Sequence, residues 1–416
     1  MKYTSILDRD EVGLTLRRST AVAALVRGTT ALTARVPSVR ALHLLEALPD
    51  HVRGILLPVV ARWFPDGDLA LREGMHIGIH RDLVDLLVDL GMVEHERPDR
   101  LVLAEPYRGA VRTGPDGVER ILQRSRRGPL RRIRRRQEWV RGLTADVFRD
   151  DADVGAMDGG DDLYLLHLAH YLEELGHMSL TAQVPARLSQ RFYSDLGSLA
   201  YRLYTGPRVR ELCAGLRYDS FLDVGCGNGR HLRAAAEAAP EAEVVGIDLQ
   251  ADVVDEAREA MRDLPRVAVH HGDVLDWDPG RSFDVVFACY MVFYLSEDQR
   301  RVFFARVADM LADDGRFVLT QYFPDAPHIQ RALIDQTSPV PRLQEHLTRV
   351  GVSLCRAETL LNRCLDAFQT VAHWETLLPE LEAAGLEVES VHPADDMYYS
   401  LFLVIRRTAR REEAAG

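Results

Sequence analysis

Lysine is nearly absent from this chain: Lys2 is the only one in 416 residues, so arginine supplies almost the whole basic count of 51. Cysteine is sparse too. The five cysteines (213, 226, 289, 355 and 364) are odd in number, widely spaced and without a Cys-x-x-Cys pair. That excludes a disulfide framework and a zinc-finger cluster. Long apolar runs are missing as well. A membrane helix needs ~20 apolar residues, and the best candidate, TAVAALVRGTTALTARV, is interrupted by Arg27 and Arg35. The opening residues, MKYTSILDRDEVGLTLRRS, lack the charged start and apolar stretch of a secretion signal. These absences predict a cytoplasmic protein with reduced thiols and no membrane span.

What is present is ordinary for a folded chain, 47% hydrophobic and 27% charged, at a length that suits two or three domains. The charge is unevenly placed. Acidic side chains number 63 and the net charge is −12, yet residues 120–141 hold ten arginines and one glutamate, net +9. The remainder therefore carries −21.

The second half alternates short apolar runs with helical patterns. Runs at Phe221–Val224, Val244–Ile247, Val267–His270, Phe283–Ala288 and Phe317–Tyr322 are separated by helices, among them one through Val253, Val254, Ala257 and Met261 and one over Arg300–Leu311. This alternation predicts βαβ units and a parallel sheet. A Pro-containing stretch with a helical segment, about 324–372, delays the pattern. Trp374–Ala384 (helix), Leu386–Val391 and Ser400–Ile405 (strands) follow, the last two spaced for an antiparallel edge.

The strongest motif is Leu222-Asp223-Val224-Gly225-Cys226-Gly227-Asn228-Gly229 at the end of the first run. Glycines there permit positive φ and close backbone approach to a ligand, next to the free N–H groups of a helix start. The spacing is Gly-x-Gly-x-Gly, which differs from the dinucleotide fingerprint Gly-x-Gly-x-x-Gly. Asp223 precedes the glycines, where a carboxylate repels phosphate and suits an amine or cation. Asp248, followed by Leu249, ends the second run, where an acid can take both ribose hydroxyls. Gly272, Asp273 and Val274 follow the third run, within reach of an adenine amino group.

These residues resemble the class I S-adenosylmethionine-dependent methyltransferases over about 219–323 and 386–407. The resemblance implies a Rossmann-like α/β domain with a mostly parallel seven-stranded sheet and an antiparallel edge. It implies that Asp223, Gly225, Cys226, Gly227, Asn228 and Gly229 hold the methionine part. Asp248 would take the ribose and Asp273 with Val274 the adenine, and Leu249 and Gly272 beside them belong to the same cofactor site. Cys289 and Tyr290, after the fourth run, fall where the methyl meets its acceptor.

The first half reads as mainly helical: Ser38–Leu48, His51–Phe64, and two helices in Leu69–Gly91 broken near Gly74 or Gly78. Met92–Glu94 and Leu101–Leu103 then flank a turn at Arg97-Pro98-Asp99, a winged-helix-like layout whose recognition helix would be Arg81–Leu90. Further helices are expected over Pro129–Leu143 and Leu163–Leu175, the latter stopped by Gly176. Residues 151–162 read as an acidic, Gly-rich loop. A layout of this kind joined to a methyltransferase domain resembles the bacterial small-molecule O-methyltransferases of natural-product pathways. That family has a helical half which dimerises and roofs the site. The resemblance sets domains at 1–205 and 206–416, with a lid insertion at about 324–372, and implies a homodimer. The family's His-Asp pair after the fourth strand is missing: the segment is Cys289-Tyr290-Met291-Val292-Phe293-Tyr294.

A base must then come from elsewhere. His167, His170, Glu174 and His177 recur at i, i+3, i+7 and i+10 and span roughly 80° of a helix. A solvated or interface face is the plainer reading, while catalysis by His170 or His177 is the functional one; no metal site is expected. His373 begins a helix and reads as a cap or as an acid/base, and Tyr290 as a pocket group. Tyr294, Tyr398 and Tyr399 read as pocket walls or packing. His76 and His80 read as structural. The arginine run could meet nucleic acid, but the presumptive recognition helix carries Asp82, Asp85 and Asp89, and no aromatics interleave the arginines. The run is better read as a partner for acidic surface. The expectation is methyl transfer to a small organic acceptor, O-methylation favoured. The alternatives are C- or N-methylation, a nucleic-acid-directed enzyme or regulator, and a non-methylating cofactor binder.

Overall fold

The structure is a computed structural model that describes residues 37–98, 100–148, 161–185, 196–323, 325–337, 341–366, 368, 373–395, 398 and 400–408. The expectations for residues 1–36, for the loop at 151–160, and for Pro324, Pro339 and Tyr399 fall outside them. The chain groups into two compact units. Among the described residues, a helical unit takes those from 37 to 203 together with those of 345–371, and a sheet unit takes those of 204–344 together with those of 372–408.

In the helical unit α1 (Pro37–Trp63) and α2 (Ile77–Asp89) lead into an antiparallel hairpin, β1 (Val93–Arg97) and β2 (Arg100–Leu103). Next come α3 (Tyr107–Val111), α4 (Pro115–Arg124), α5 (Gly128–Val147) and α6 (Asp161–Leu172). Two helices expected near residue 50 are one. The helix runs through Pro49 and Pro58, because the burial of Leu44, Leu48, Leu56 and Val60 outweighs the backbone bonds that proline removes. The two helices expected in 69–91 are also one, started by His76, whose side chain accepts the Ile79 N–H. α6 stops at Leu172 and continues as a 3₁₀ turn over Glu173–His177.

The sheet unit runs α7 (Gly206–Gly215), β3 (Ser220–Val224), α8 (Arg230–Ala238), β4 (Glu243–Asp248), α9 (Ala251–Ala260), β5 (Val267–His271), β6 (Phe283–Cys289), α10 (Glu297–Met310), β7 (Leu311–Tyr322) and α11 (Pro327–Thr337). After α12 (Pro341–Cys364), most of which belongs to the helical unit, come α13 (Trp374–Ala383), β8 (Leu386–Pro393) and β9 (Ser400–Arg407). The strand order is β5-β4-β3-β6-β7-β9-β8, parallel through β7, with β9 antiparallel to both its neighbours. Buried Phe221, Leu222, Val244, Val286, Phe287 and Val318 make the sheet's continuous apolar runs, as expected of strands covered on both faces. The order reverses direction between β3 and β6, which opens a crevice at their carboxyl ends.

Two features of the helical unit bear on the arginine run. Buried Asp50 accepts from Arg53, from Arg132 (2.9 Å) and from Arg136 (3.2 Å), and Arg141 grips Glu173 through two bonds of 2.8 and 2.9 Å. The acidic side of α2 meets α12: Asp82 pairs with Arg363, Asp89 with Arg356, and Asp85 lies 3.5 Å from Arg356.

Candidate functional site

The crevice begins where β3 ends. Gly225, Gly227 and Gly229 have φ of +70°, +53° and +82°, a region that L side chains adopt only with strain. The N–H groups of Gly225 and Cys226 donate to the Ile247 carbonyl at 2.9 and 3.1 Å, which fastens the loop to the end of β4. A side chain at Gly227 would meet nothing within 4 Å, so the loop's backbone faces open space there. Gly229 then starts α8 in the left-handed conformation.

Asp248 at the end of β4 holds this loop through its side chain. Oδ2 accepts the Gly227 N–H at 2.9 Å and Oδ1 accepts that of Gln250 at 3.0 Å. Leu249 beside it is 65% exposed. The Gly272 N–H donates to the Asp248 carbonyl at 3.0 Å, and Asp273 accepts the Leu275 N–H at 2.9 Å, so the β4 and β5 ends form one edge. Val274 is buried beneath it. Tyr294 is 54% exposed, and partial burial followed by the charge of Asp248 raises its pKa.

Asp223 is 0% exposed, on a strand flanked by β4 and β6. Neither of its carboxyl oxygens has a hydrogen-bond partner. A bare buried carboxylate is costly, and such an acid suits a cationic ligand group arriving from the crevice. His231, on the first turn of α8, faces it with Nδ1 3.6 Å from Oδ2. Burial works against a charged ring here, but Cys289 and Asp223 beside it prevail and raise the His231 pKa to about 10. Sequence reasoning passed over His231, although its place two residues beyond the last loop glycine is the signal. Gly246 was also missed. A side chain there would stand 2.6 Å from Leu232 Cδ1 and 2.9 Å from Cys226 Sγ, so α8 and the loop rest directly on its backbone.

Cys289 ends β6 half-buried, and Tyr290 follows with φ +51°. The Tyr290 N–H donates to the Thr320 carbonyl at 3.0 Å, and its hydroxyl donates to Ser400 Oγ at 2.6 Å. Ser400 N–H in turn donates to Asp395 at 2.7 Å. Burial, then Cys289 and Asp395, push the Tyr290 pKa well above its ordinary value. The phenol therefore stays protonated as a donor.

The structure brings together Asp223, the glycine loop, Asp248, Leu249, Gly272, Asp273, Val274, Cys289 and Tyr290 along the carboxyl edge of one sheet. His373 is in the same unit, 3.8 Å from Asp325. His373 is the N-cap residue of α13 but makes no side-chain capping bond; Asp325 instead accepts the N–H groups of Trp374 and Glu375 at 2.9 and 3.1 Å. His170 and His177 are in the helical unit. His170 stacks on Phe148 at 4.6 Å, with burial lowering its pKa, and His177 is exposed at the end of the 3₁₀ turn. Of the stretch read as a solvated or interface face, His167 and Glu174 are buried, His170 is half-buried and His177 is exposed.

A family profile described as a methyltransferase domain matches residues 221–315. The chain is 40% identical over 206 residues to dTDP-4-amino-2,3,4,6-tetradeoxy-D-glucose N,N-dimethyltransferase of Saccharopolyspora spinosa, a match of 45% of this chain and 78% of that protein. It is 30% identical over 174 residues to aklanonic acid methyltransferase DauC of a Streptomyces species, across 38% of this chain and 77% of that protein. To trans-aconitate 2-methyltransferase of Afipia carboxidovorans it is 29% identical over 161 residues, across 36% of this chain and 60% of that protein. With the glycine loop, its acidic partners and the seven-stranded sheet in place, the chain belongs to the S-adenosylmethionine-dependent methyltransferases, enzymes that act here through a Rossmann-like domain.

Proposed function

We propose that the protein methylates a small organic acceptor of natural-product metabolism whose nucleophile needs no strong base, a carboxylate oxygen or an amine nitrogen. The observation that carries this is Tyr290. It occupies the turn after β6 where a deprotonating group would stand, yet its hydroxyl is a donor to Ser400 and its pKa is raised. A phenol acceptor would need a partner able to take its proton at neutral pH; a carboxylate already bears its lone pair, and an amine bears it once its ammonium proton has passed to solvent. The relatives named for an amino sugar and for trans-aconitate fit this range.

When bound, S-adenosylmethionine supplies an electrophilic methyl group on a sulfonium. In this reading Asp223 and the backbone of Gly225–Gly229 hold its methionine end, Asp248 accepts the ribose hydroxyls, and Asp273 with Val274 and exposed Leu249 frame the adenine. Cys289 and Tyr290 line the acceptor side, and the chain's contribution to rate is alignment and exclusion of water. His170, His177 and His373 receive no assigned chemical step.

Residues up to about 205, with α12, would form a winged-helix-like dimerisation and lid half of a cytoplasmic homodimer. Nucleic acid is disfavoured, because α2 carries aspartates already engaged by Arg356 and Arg363. The test is incubation of purified protein with S-adenosylmethionine and a panel of carboxylic acids, amino sugars and phenols, read by mass spectrometry. A methyl ester or methylamine product is expected. Turnover of phenols alone would overturn the proposal.

A further inference from the structure

We propose that His231 is the resident counter-ion of Asp223, and that it gives up its proton when the cofactor's ammonium group takes that place. This rests on the reading above that Asp223 receives the methionine end. The geometry is a small closed cluster. Asp223 is wholly buried with both oxygens lacking hydrogen-bond partners, and His231 Nδ1 stands 3.6 Å away. The ring is 16% exposed and lies over Phe287 of β6, centroid to centroid 5.1 Å. It is thus held at the carboxylate by packing and cannot be replaced there by water without moving.

The other titratable groups of the cluster do not compete for the role. From α7 Cys213, and from the loop Cys226, face Asp223; burial first and then Asp223 itself raise both thiols' pKa, so both stay neutral and supply no positive charge. From β6 Cys289 faces the histidine and favours its protonated form, as Asp223 does. His231 therefore carries the positive charge that makes the empty carboxylate tolerable in the core.

A ligand ammonium arriving at Asp223 brings a second positive charge to the same anion. Like charges at this range disfavour one another, and an ammonium has three donors with which to meet both unpartnered oxygens of Asp223, whereas Nδ1 stands 3.6 Å off, so the imidazolium is the group that dissociates. The proton leaves Nδ1 or Nε2 for solvent, and the neutral ring remains as packing beside Cys289. Linkage sets the direction. The free protein binds the proton up to about pH 10 and the complex releases it at lower pH, so cofactor affinity rises with pH inside the window from 6.5 to the point where the ligand's own amino group begins to lose its proton.

The experiment is calorimetric titration of the full chain with S-adenosylhomocysteine, in buffer pairs of low and high ionisation enthalpy, across that window. Net proton release is expected for the wild type. His231→Gln should bind without release and with an affinity that no longer changes with pH. Release that persists in H231Q, or binding without release by the wild type, would each overturn the proposal. Nitrogen-15 NMR of histidine-labelled wild-type protein gives the same answer without a variant: one buried imidazolium should turn neutral on ligand addition, and no change would refute it. Asp223→Asn separates the two readings. Binding unweakened in D223N overturns the placement of the ammonium at Asp223, while weakened binding in D223N with no wild-type proton release overturns only the role of His231.

Discussion

Asp248→Ala removes a carboxylate that holds the glycine loop and, in the proposed function, also binds the cofactor's ribose. An ionised carboxylate offers about four acceptor positions, and two are occupied by the N–H groups of Gly227 and Gln250. The two that remain match the paired hydroxyls of a ribose. A hydrogen bond to a charged group contributes about 1.5–3 kcal/mol, so losing both ribose contacts weakens cofactor binding by about 3–6 kcal/mol, or ~10²–10⁴-fold in Kd. Loss of the Gly227 contact adds to this by loosening the loop, although the bonds from Gly225 and Cys226 to the Ile247 carbonyl persist. Asp248→Asn keeps an oxygen for one acceptor position and should fall between wild type and alanine. Calorimetry with S-adenosylhomocysteine measures all three proteins, and circular dichroism confirms that the sheet is intact. Equal affinity in wild type and D248A would refute the assignment of the ribose to Asp248.

Three further outcomes follow from packing and charge. Gly246→Ala places a methyl group 2.6 Å from Leu232 Cδ1 and 2.9 Å from Cys226 Sγ; overpacking of this kind costs about 1–3 kcal/mol in urea unfolding, and Cys226→Ala in the same chain should restore part of it. Arg300 of α10 is buried and holds Glu380 of α13 through bonds of 2.7 and 2.6 Å. Glu380→Ala should therefore destabilise the fold by about 3–5 kcal/mol by removing the carboxylate from a buried ion pair, and a melting temperature equal to wild type would count against that pair. Burial holds His51 and His392 at a pKa of about 4. The unfolded chain takes up these protons near pH 6.5 and the folded one does not, so stability falls as pH drops from 6.5 towards 4, by up to about 1.4 kcal/mol per pH unit for each group. His392→Asn should flatten that slope in a pH series of denaturant melts.

The sheet was legible because parallel strands covered on both faces read as unbroken apolar runs, and the glycine loop because three positive-φ positions leave a visible spacing. β7 begins at Leu311, six residues before the expected start: Leu311 pairs with Phe283 of β6, the register then shifts, and the ladder resumes at Arg316 opposite Val285, and the intervening Ala312–Gly315 shows no apolar run in sequence. α1 was read as two helices because the local cost of Pro49 is visible in sequence and the burial that overrides it is not. Asp223, Asp248 and Asp273 were found by their places at strand ends. His231 and Gly246 were not, because their importance is set by side chains that come from other elements: Asp223 and Cys289 for the one, Leu232 and Cys226 for the other.

The acidic helix shows what a sequence withholds and what it leaves to be recovered. Asp82 and Asp89 are seven residues apart on α2, and Arg356 and Arg363 are seven apart on α12. Two helical turns separate each pair, so each pair presents its charges in one line along its helix. The observed pairing, Asp82 with Arg363 and Asp89 with Arg356, runs the two helices antiparallel. Reading α2 alone gives only a surface that repels phosphate. Reading the matched spacing gives a partner more than 260 residues away, and explains why most of a helix inserted among the strands of the sheet groups with the helical unit. Arginine suits this use better than lysine, since its planar fork can meet two carboxylates at once, as Arg356 meets Asp85 and Asp89. A chain with a single lysine and an acidic surplus can thus place its arginines where each orders a neighbour, and α2 keeps little free charge for a polyanion to address.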